Sequence, residues 1–96
     1  MKKDYWALIL GASSGFGEAT ALRLARDGFN IIGVHLDRQA TMPNVNKIIR
    51  GIKLAVVQAI FYNANAADEF KRNEIITEIK SSLNHRPFIK VIMHSL

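Results

Sequence analysis

Along this chain the spacing of apolar residues changes period several times, and each change marks an element. Tyr5-Trp6-Ala7-Leu8-Ile9-Leu10 is an unbroken apolar run closed by Gly11, the pattern of a strand buried on both faces of a parallel sheet. From Gly15 to Asp27 the period lengthens. Phe16, Ala19, Leu22 and Ala25 recur at helical spacing, with Ala21 and Leu24 beside them, while Glu18, Arg23 and Arg26 point away. Gly28 ends that helix. Asn30 to Leu36, with Ile31-Ile32-Gly33-Val34 inside it, reads as a second buried strand.

Thr41 is a candidate N-cap with Pro43 in the first turn after it, and Val45, Ile48, Ile49 and Ile52 form the apolar face of a second helix that Gly51 weakens. Lys53 to Tyr62 suits a third strand, with Asn63-Ala64-Asn65 as the loop at its C-terminal end. Ala66 to Leu83 carries Phe70, Ile75, Ile76, Ile79 and Leu83 at helical spacing, with Glu74 and Glu78 on a solvated face. Asn84-His85-Arg86-Pro87 breaks this third helix, and Phe88 to Met93 forms a fourth strand.

Strands alternating with helices require right-handed crossovers onto a parallel sheet. The expected fold is α/β: the N-terminal half of a Rossmann-like doubly wound parallel sheet, with four strands in the order 3-2-1-4 and three helices. Residues 1–96 are expected to form a single, truncated domain. Ligands of such sheets lie at the carboxyl ends of the strands, where Gly11, Leu36, Asn63 and His94 converge.

The stretch Gly11-Ala12-Ser13-Ser14-Gly15-Phe16-Gly17 lies between the first strand and the first helix. In that place glycine spacing has a physical meaning. Gly11 permits the tight turn, Gly15 lets backbone approach a pyrophosphate, and Gly17 removes a side chain where helix meets sheet. Ser13 and Ser14 add hydroxyl donors, and the first helical turn favours phosphate charge. Dinucleotide binding is therefore the expected chemistry.

These residues resemble the short-chain dehydrogenase/reductase family, whose glycine motif Gly-x-x-x-Gly-x-Gly is matched by Gly11, Gly15 and Gly17. Ala21-Leu22-Arg23-Leu24-Ala25-Arg26-Asp27-Gly28-Phe29 is similar to that family's first helix and turn. The resemblance covers essentially the whole chain as an N-terminal NAD(P)-binding portion. It implies that Gly11, Ser13, Ser14, Gly15, Phe16 and Gly17 hold the pyrophosphate and nearby ribose. It implies that Asn63 and Ala64 meet adenine, with a neutral Asn where the family carries an acid. His94 and Ser95 would approach the nicotinamide side, in a His-Ser form similar to that of the enoyl-acyl-carrier-protein reductases; a carbonyl-reducing or alcohol-oxidising relative is equally admissible. The family's catalytic Tyr with a Lys four residues later has no match here, because the chain holds only Tyr5 and Tyr62 and Ala66 stands four residues after Tyr62. The catalytic half is expected beyond Leu96, and the chain alone is expected not to turn over substrate.

The end of the second strand decides between cofactors. A carboxylate there accepts the ribose hydroxyls of NAD, whereas a 2′-phosphate calls for basic or neutral donors. Ungapped family spacing puts His35 at that position, and the looser rule of about 20 residues beyond the glycine loop puts Asp37 there. Arg38, able to make paired bonds to phosphate, tilts the reading toward NADP over NAD.

Composition narrows the alternatives. The 96 residues carry 13 Lys+Arg against 8 Asp+Glu, a formal charge of +5, yet no basic run exceeds two residues. Nucleic-acid binding needs denser clustering with aromatics, so the excess serves better to attract a polyanionic cofactor. No apolar run approaches the roughly 20 residues of a membrane span. With no cysteine, disulfides and thiolate chemistry are excluded and a cytoplasmic setting is the simplest. His35, His85 and His94 lack metal-ligand spacing. Ser14 lacks a nucleophile elbow, since Ala12 stands where the first Gly is needed. The fourth strand, with Ile89, Val91 and Ile92, has no fifth after it and is expected to self-associate or to be completed by another chain. A non-enzymatic dinucleotide module and a basic interaction domain are the rival readings.

Overall fold

The computed structural model describes residues 5–65, 67–82 and 88–94. Its elements are β1 (Tyr5–Leu10), α1 (Gly15–Arg26), β2 (Asn30–His35), a 3-10 turn (Gln39–Thr41), α2 (Met42–Leu54), β3 (Ala59–Asn63), α3 (Glu69–Ser82) and β4 (Phe88–His94). The four strands form one sheet in the order β3-β2-β1-β4, every neighbouring pair parallel. This is the order expected of a Rossmann-like half-sheet.

Side chains alternate across β1 and β2, and both faces are covered. Ala7, Ile9 and Ile31 pack with Ala21 and Ala25 of α1 and Ile48 and Ile52 of α2. Trp6, Ile32 and Val34 pack on the other face with Ile75 and Ile79 of α3. Two-sided burial is why these strands read as continuous apolar runs rather than alternating ones. Helices α1 and α2 approach closely at Gly51, where a Cβ would sit 2.9 Å from Leu22 Cδ2. The residue that lowers helix propensity thus admits the neighbouring helix.

Three expectations need correction. The third strand does not begin at Lys53: α2 runs on to Leu54, and the amides of Ala55 and Val56 close it by donating to the carbonyls of Ile52 and Lys53. Val56 then takes a left-handed φ of 62°, and β3 starts only at Ala59. An apolar run looks alike in a helix end and a strand, so periodicity could not separate them. Second, α3 starts at Glu69 because Asp68 caps it, its carboxylate accepting the Lys71 amide at 3.2 Å. Phe70 and Ile76 lie outside its buried stripe, Phe70 being 83% exposed, while Ile75 and Ile79 carry the packing; Leu83 lies outside the described residues. Third, Thr41 occupies the N-cap position of α2 as expected but makes no side-chain capping bond; its hydroxyl donates to the Arg38 carbonyl at 3.1 Å.

Candidate functional site

The carboxyl ends of the strands are laced together by backbone. Gly11, at φ 88°, turns the chain out of β1, and the amides of Gly11 and Ala12 both donate to the Val34 carbonyl of β2, at 2.8 and 3.0 Å. The Ala64 amide donates to the His35 carbonyl at 2.7 Å. In this way β1, β2 and β3 end in one rim, and the backbone of His94 joins it through the pairing of Leu10 with His94. Ser95 and the side chain of His94 lie outside the described residues.

Ser14 is the N-cap of α1. Its hydroxyl donates to the Gly11 carbonyl at 2.8 Å and accepts the Gly17 amide at 3.1 Å. A Cβ on Gly17 would lie 2.0 Å from the Gly11 carbonyl oxygen, so only glycine lets the helix start against the strand end. Gly15 is the opposite case. A Cβ built there meets no atom within 4 Å, and the amides of Gly15 and Phe16 precede the helical ladder. An open cradle over backbone donors at a positive helix end fits a diphosphate. Phe16 stands exposed beside it.

Twenty-four residues further on, Asp37 closes over the loop. Ser13 donates its hydroxyl proton to Asp37 Oδ1 at 2.5 Å, and His35 Nδ1 lies 3.1 Å from the same oxygen. The His35 side chain is 3% exposed and that of Asp37 10%. Burial pushes the Asp37 carboxyl up, but the Ser13 hydroxyl bond, the polar influence of the Thr41 hydroxyl, and the contact and charge of His35 outweigh it and hold the group below its ordinary 3.8. Asp37 is therefore an anion at neutral pH. Asn63 bonds both sides of the same residue: its Oδ1 accepts the Asp37 amide and its Nδ2 donates to the Asp37 carbonyl, each at 3.0 Å. Arg38 is exposed.

All the proposed residues that the structure describes thus gather on one rim, but several hydroxyls and amides have other employment. A hydroxyl carries one proton; those of Ser13 and Ser14 go to Asp37 and Gly11, which leaves the phosphate to backbone amides. The Asn63 amide group braces the β2 loop. Local pattern missed Thr41 and the Val34 carbonyl, and the cap role of Ser14 was available from its place just before the helix. The Ser13, His35 and Asp37 cluster is no hydrolytic triad: the histidine must stand between serine and carboxylate, and here Ser13 bonds the carboxylate directly. No cluster of metal-binding groups occurs among the described residues. Nor is there a helix long and apolar enough to cross a membrane among them.

Comparison with known proteins agrees with this geometry. The family model for short chain dehydrogenase matches residues 5–89. A very-long-chain 3-oxoacyl-CoA reductase of Coccidioides immitis is 33% identical over 84 residues, covering 84% of this chain and 24% of the relative. The 3-oxoacyl-[acyl-carrier-protein] reductase FabG of Staphylococcus aureus is 31% identical over 81 residues, covering 84% of this chain and 32% of its own length. The chain therefore spans about a quarter to a third of the length of these curated relatives. NAD+-bound xylitol dehydrogenase superposes with a TM-score of 0.77 at 21% identity over 94% of this chain and 32% of that one. A metagenomic short-chain oxidoreductase in complex with NADP gives 0.77 at 19%, over 94% and 38%. The structural likenesses show the shared fold, and the family model, spanning most of the sequence, shows the descent: the chain belongs to the short-chain dehydrogenase family.

Proposed function

We propose that these 96 residues form the NAD(P)-binding portion of a short-chain dehydrogenase/reductase-like oxidoreductase and do not turn over substrate alone. The observation that carries this reading is the open space at Gly15, where a Cβ meets no atom within 4 Å, at the start of a helix that Gly17 seats directly against the Gly11 carbonyl. When bound, a nicotinamide dinucleotide would supply the hydride-carrying ring; the amides of Gly15 and Phe16, on the turn that Gly11 and Gly17 shape, would hold its pyrophosphate, and the rim at His35, Asp37 and Arg38 would meet the adenosine ribose. Asn63 and Ala64 lie on the adenine side, with His94 and Ser95 toward the nicotinamide.

The proton-transfer pair of the family has no counterpart in this stretch. Tyr62, one of two tyrosines, has its phenol pushed up by burial and by Glu78, the reverse of what a neighbouring lysine does for a catalytic tyrosine. Its side chain packs beside Ile75 and Ile79. The β4 edge supports a further part of this reading, association with a second copy or completion by another chain, because Ile92 on that strand is 68% exposed. A cytoplasmic setting accompanies it.

Titration of the full chain with NADH and NADPH, followed by nicotinamide fluorescence, tests the proposal. Saturable binding that Gly15→Asp abolishes is expected, since the new side chain fills the cradle with a charge of the wrong sign. Absence of saturable binding by the folded chain, or binding that Gly15→Asp leaves unchanged, overturns it.

A further inference from the structure

Helices α1 and α2 each return from the carboxyl end of one strand to the amino end of the next in a parallel sheet, so their C-termini share the pole of the molecule opposite the rim. Two aliphatic side chains project from that pole. Leu54, the last residue of α2, is 85% exposed, and Val56, two residues on, is 92% exposed. Neither belongs to the core that Val45, Ile48 and Ile52 of the same helix help to build.

Val56 also stands where the backbone least suits it. Ala55 closes α2, and Val56 after it takes a φ of 62°, the left-handed conformation that helix ends give to glycine or asparagine. For a residue with a Cβ this costs roughly tenfold in the folding equilibrium. The fold gains nothing from a strained, solvated valine, and strain of this kind gathers where a side chain has work outside the fold.

The charge around these two side chains is of one sign. From Arg38 to Ala67 the chain holds Arg38, Lys47, Arg50 and Lys53 and no acid. Arg50 lies four residues before Leu54 and so shares its face of α2, and Lys53 lines one shallow hollow with Val56, Asn30 and Gln58. Arg26, in the last turn of α1, is exposed at the same pole; Asp27, the acid beside it, is paired with Arg23 at 3.6 Å. Acids gather instead on the other layer, as Glu69, Glu74 and Glu78 of α3 and Asp68 before it.

Shape selects the occupant. A small ligand needs a concavity that encloses most of its surface, and a stable protein interface needs roughly 800 Å² per partner around a packed apolar centre. Two projecting aliphatics among cations supply neither. They suit a fluid surface that yields to a knob and offers acyl chains to the aliphatics and phosphates to the cations. We infer that the pole formed by the ends of α1 and α2 docks on an anionic lipid bilayer, with Leu54 and Val56 entering the boundary of the acyl region and Arg26, Arg50 and Lys53 meeting headgroup phosphates. The acidic α3 layer turns away from such a surface, and the glycine loop, at the opposite ends of the strands, stays open to solvent. Docking of this kind is independent of what the rim binds.

The full chain is mixed with vesicles of phosphatidylcholine and phosphatidylserine, about three parts to one, or of phosphatidylcholine alone. Flotation reads the bound protein, and circular dichroism melts read the fold of each variant. Half of the wild-type chain is expected on the mixed vesicles at roughly 0.1–1 mM lipid, with binding at least about tenfold weaker on phosphatidylcholine alone. Lys53→Gln weakens binding to the mixed vesicles about fivefold. Leu54→Gln and Val56→Asn, which change no charge, each weaken it about tenfold, while Val56→Asn melts no earlier than wild type because asparagine accepts the left-handed turn. Weaker docking by an equally stable chain is what a merely structural valine would not give. Failure of the folded wild-type chain to float with the mixed vesicles, or equal flotation with both kinds, overturns the assignment. So does binding that Lys53→Gln weakens but Leu54→Gln and Val56→Asn leave unchanged, which is adherence by net charge alone. A lipid-free, salt-sensitive oligomer in sedimentation velocity that Val56→Asn dissolves also overturns it, giving the pole to a second copy instead.

Discussion

The two glycines that flank Phe16 differ in what surrounds them, and Gly17→Ala against Gly15→Ala turns that difference into a measurement. A Cβ on Gly17 would lie 2.0 Å from the Gly11 carbonyl oxygen and 2.9 Å from its carbon, about 1.4 Å short of ordinary contact. The obstacle is backbone, so no rotamer relieves it. The same oxygen accepts the Ser14 amide at 3.2 Å and the Ser14 hydroxyl at 2.8 Å, and Ser14 in turn caps α1 through the Gly17 amide. Displacing it loses two hydrogen bonds and a cap, each about 1 kcal/mol, against a gain of about 1 kcal/mol in helix propensity. The net cost is about 2 kcal/mol, a fall in Tm of roughly 10 °C for a domain of this size. Gly15→Ala meets no neighbour within 4 Å, so its Tm stays within about 3 °C of wild type or rises. Its methyl nevertheless enters the proposed diphosphate space and weakens dinucleotide binding about tenfold, the scale of forcing a methyl into a filled site. Thermal melts by circular dichroism and fluorescence titration read the two effects separately. A Gly17→Ala chain that melts within two or so degrees of wild type refutes the close-approach argument; a Gly15→Ala chain that melts as early as Gly17→Ala refutes the distinction between the two positions.

The Asp37 carboxyl lies below its ordinary 3.8 in the folded chain, so the unfolded chain binds its proton first. Its contribution is complete above the unfolded value and is lost as pH falls through the folded one; Asp37→Asn should flatten the acid limb of Tm against pH, and an unaltered limb would count against the network. Val56 combines a left-handed φ of 62° with 92% exposure, so Val56→Gly relieves strain without a cavity and should stabilise by about 0.5–1 kcal/mol in denaturant melts; a loss of stability would contradict that. On β4, Ile92→Lys places a charge where an apolar side chain is 68% exposed, and gel filtration should show less association than wild type. Identical elution profiles would remove that strand from the interface.

Legibility followed the range of the interactions. The runs Tyr5 to Leu10 and Asn30 to His35 were readable because both faces of each are buried, which leaves an apolar signature within the segment itself. The glycine loop was readable for a similar reason, its turn and its close approach depending on residues within one span of seven. The start of β3 was not, because nothing between Lys53 and Val57 punctuates the chain, and the helix continued until its own closing bonds and the turn at Val56 ended it. The exposure of Phe70 escaped because helical spacing says which residues share a face, not which faces find a partner. Most of the site's electrostatics escaped too: Ser13 meets Asp37 across 24 residues and Asn63 meets it across 26, and no local pattern registers a bond of that reach.

Those long-range bonds also explain why the rim holds its shape. Phosphate recognition by side-chain hydroxyls would require Ser13 and Ser14 to release their present acceptors, leaving a carboxylate and a carbonyl less well satisfied in a half-buried place. Recognition by the Gly15 and Phe16 amides requires no such exchange, since these first donors of the helix have no helical partner to surrender. The serines are better employed fixing the loop to the sheet. The Val34 carbonyl, bonded by two loop amides, and the Asp37 peptide, bonded twice by Asn63, extend that bracing from β1 through β2 to β3. A ligand arriving at such a rim meets groups already aligned and loses little free energy in ordering them. The division of labour in the proposed site follows from elementary bonding capacity: helix-start backbone left open for a diphosphate, and hydroxyls given to the scaffold.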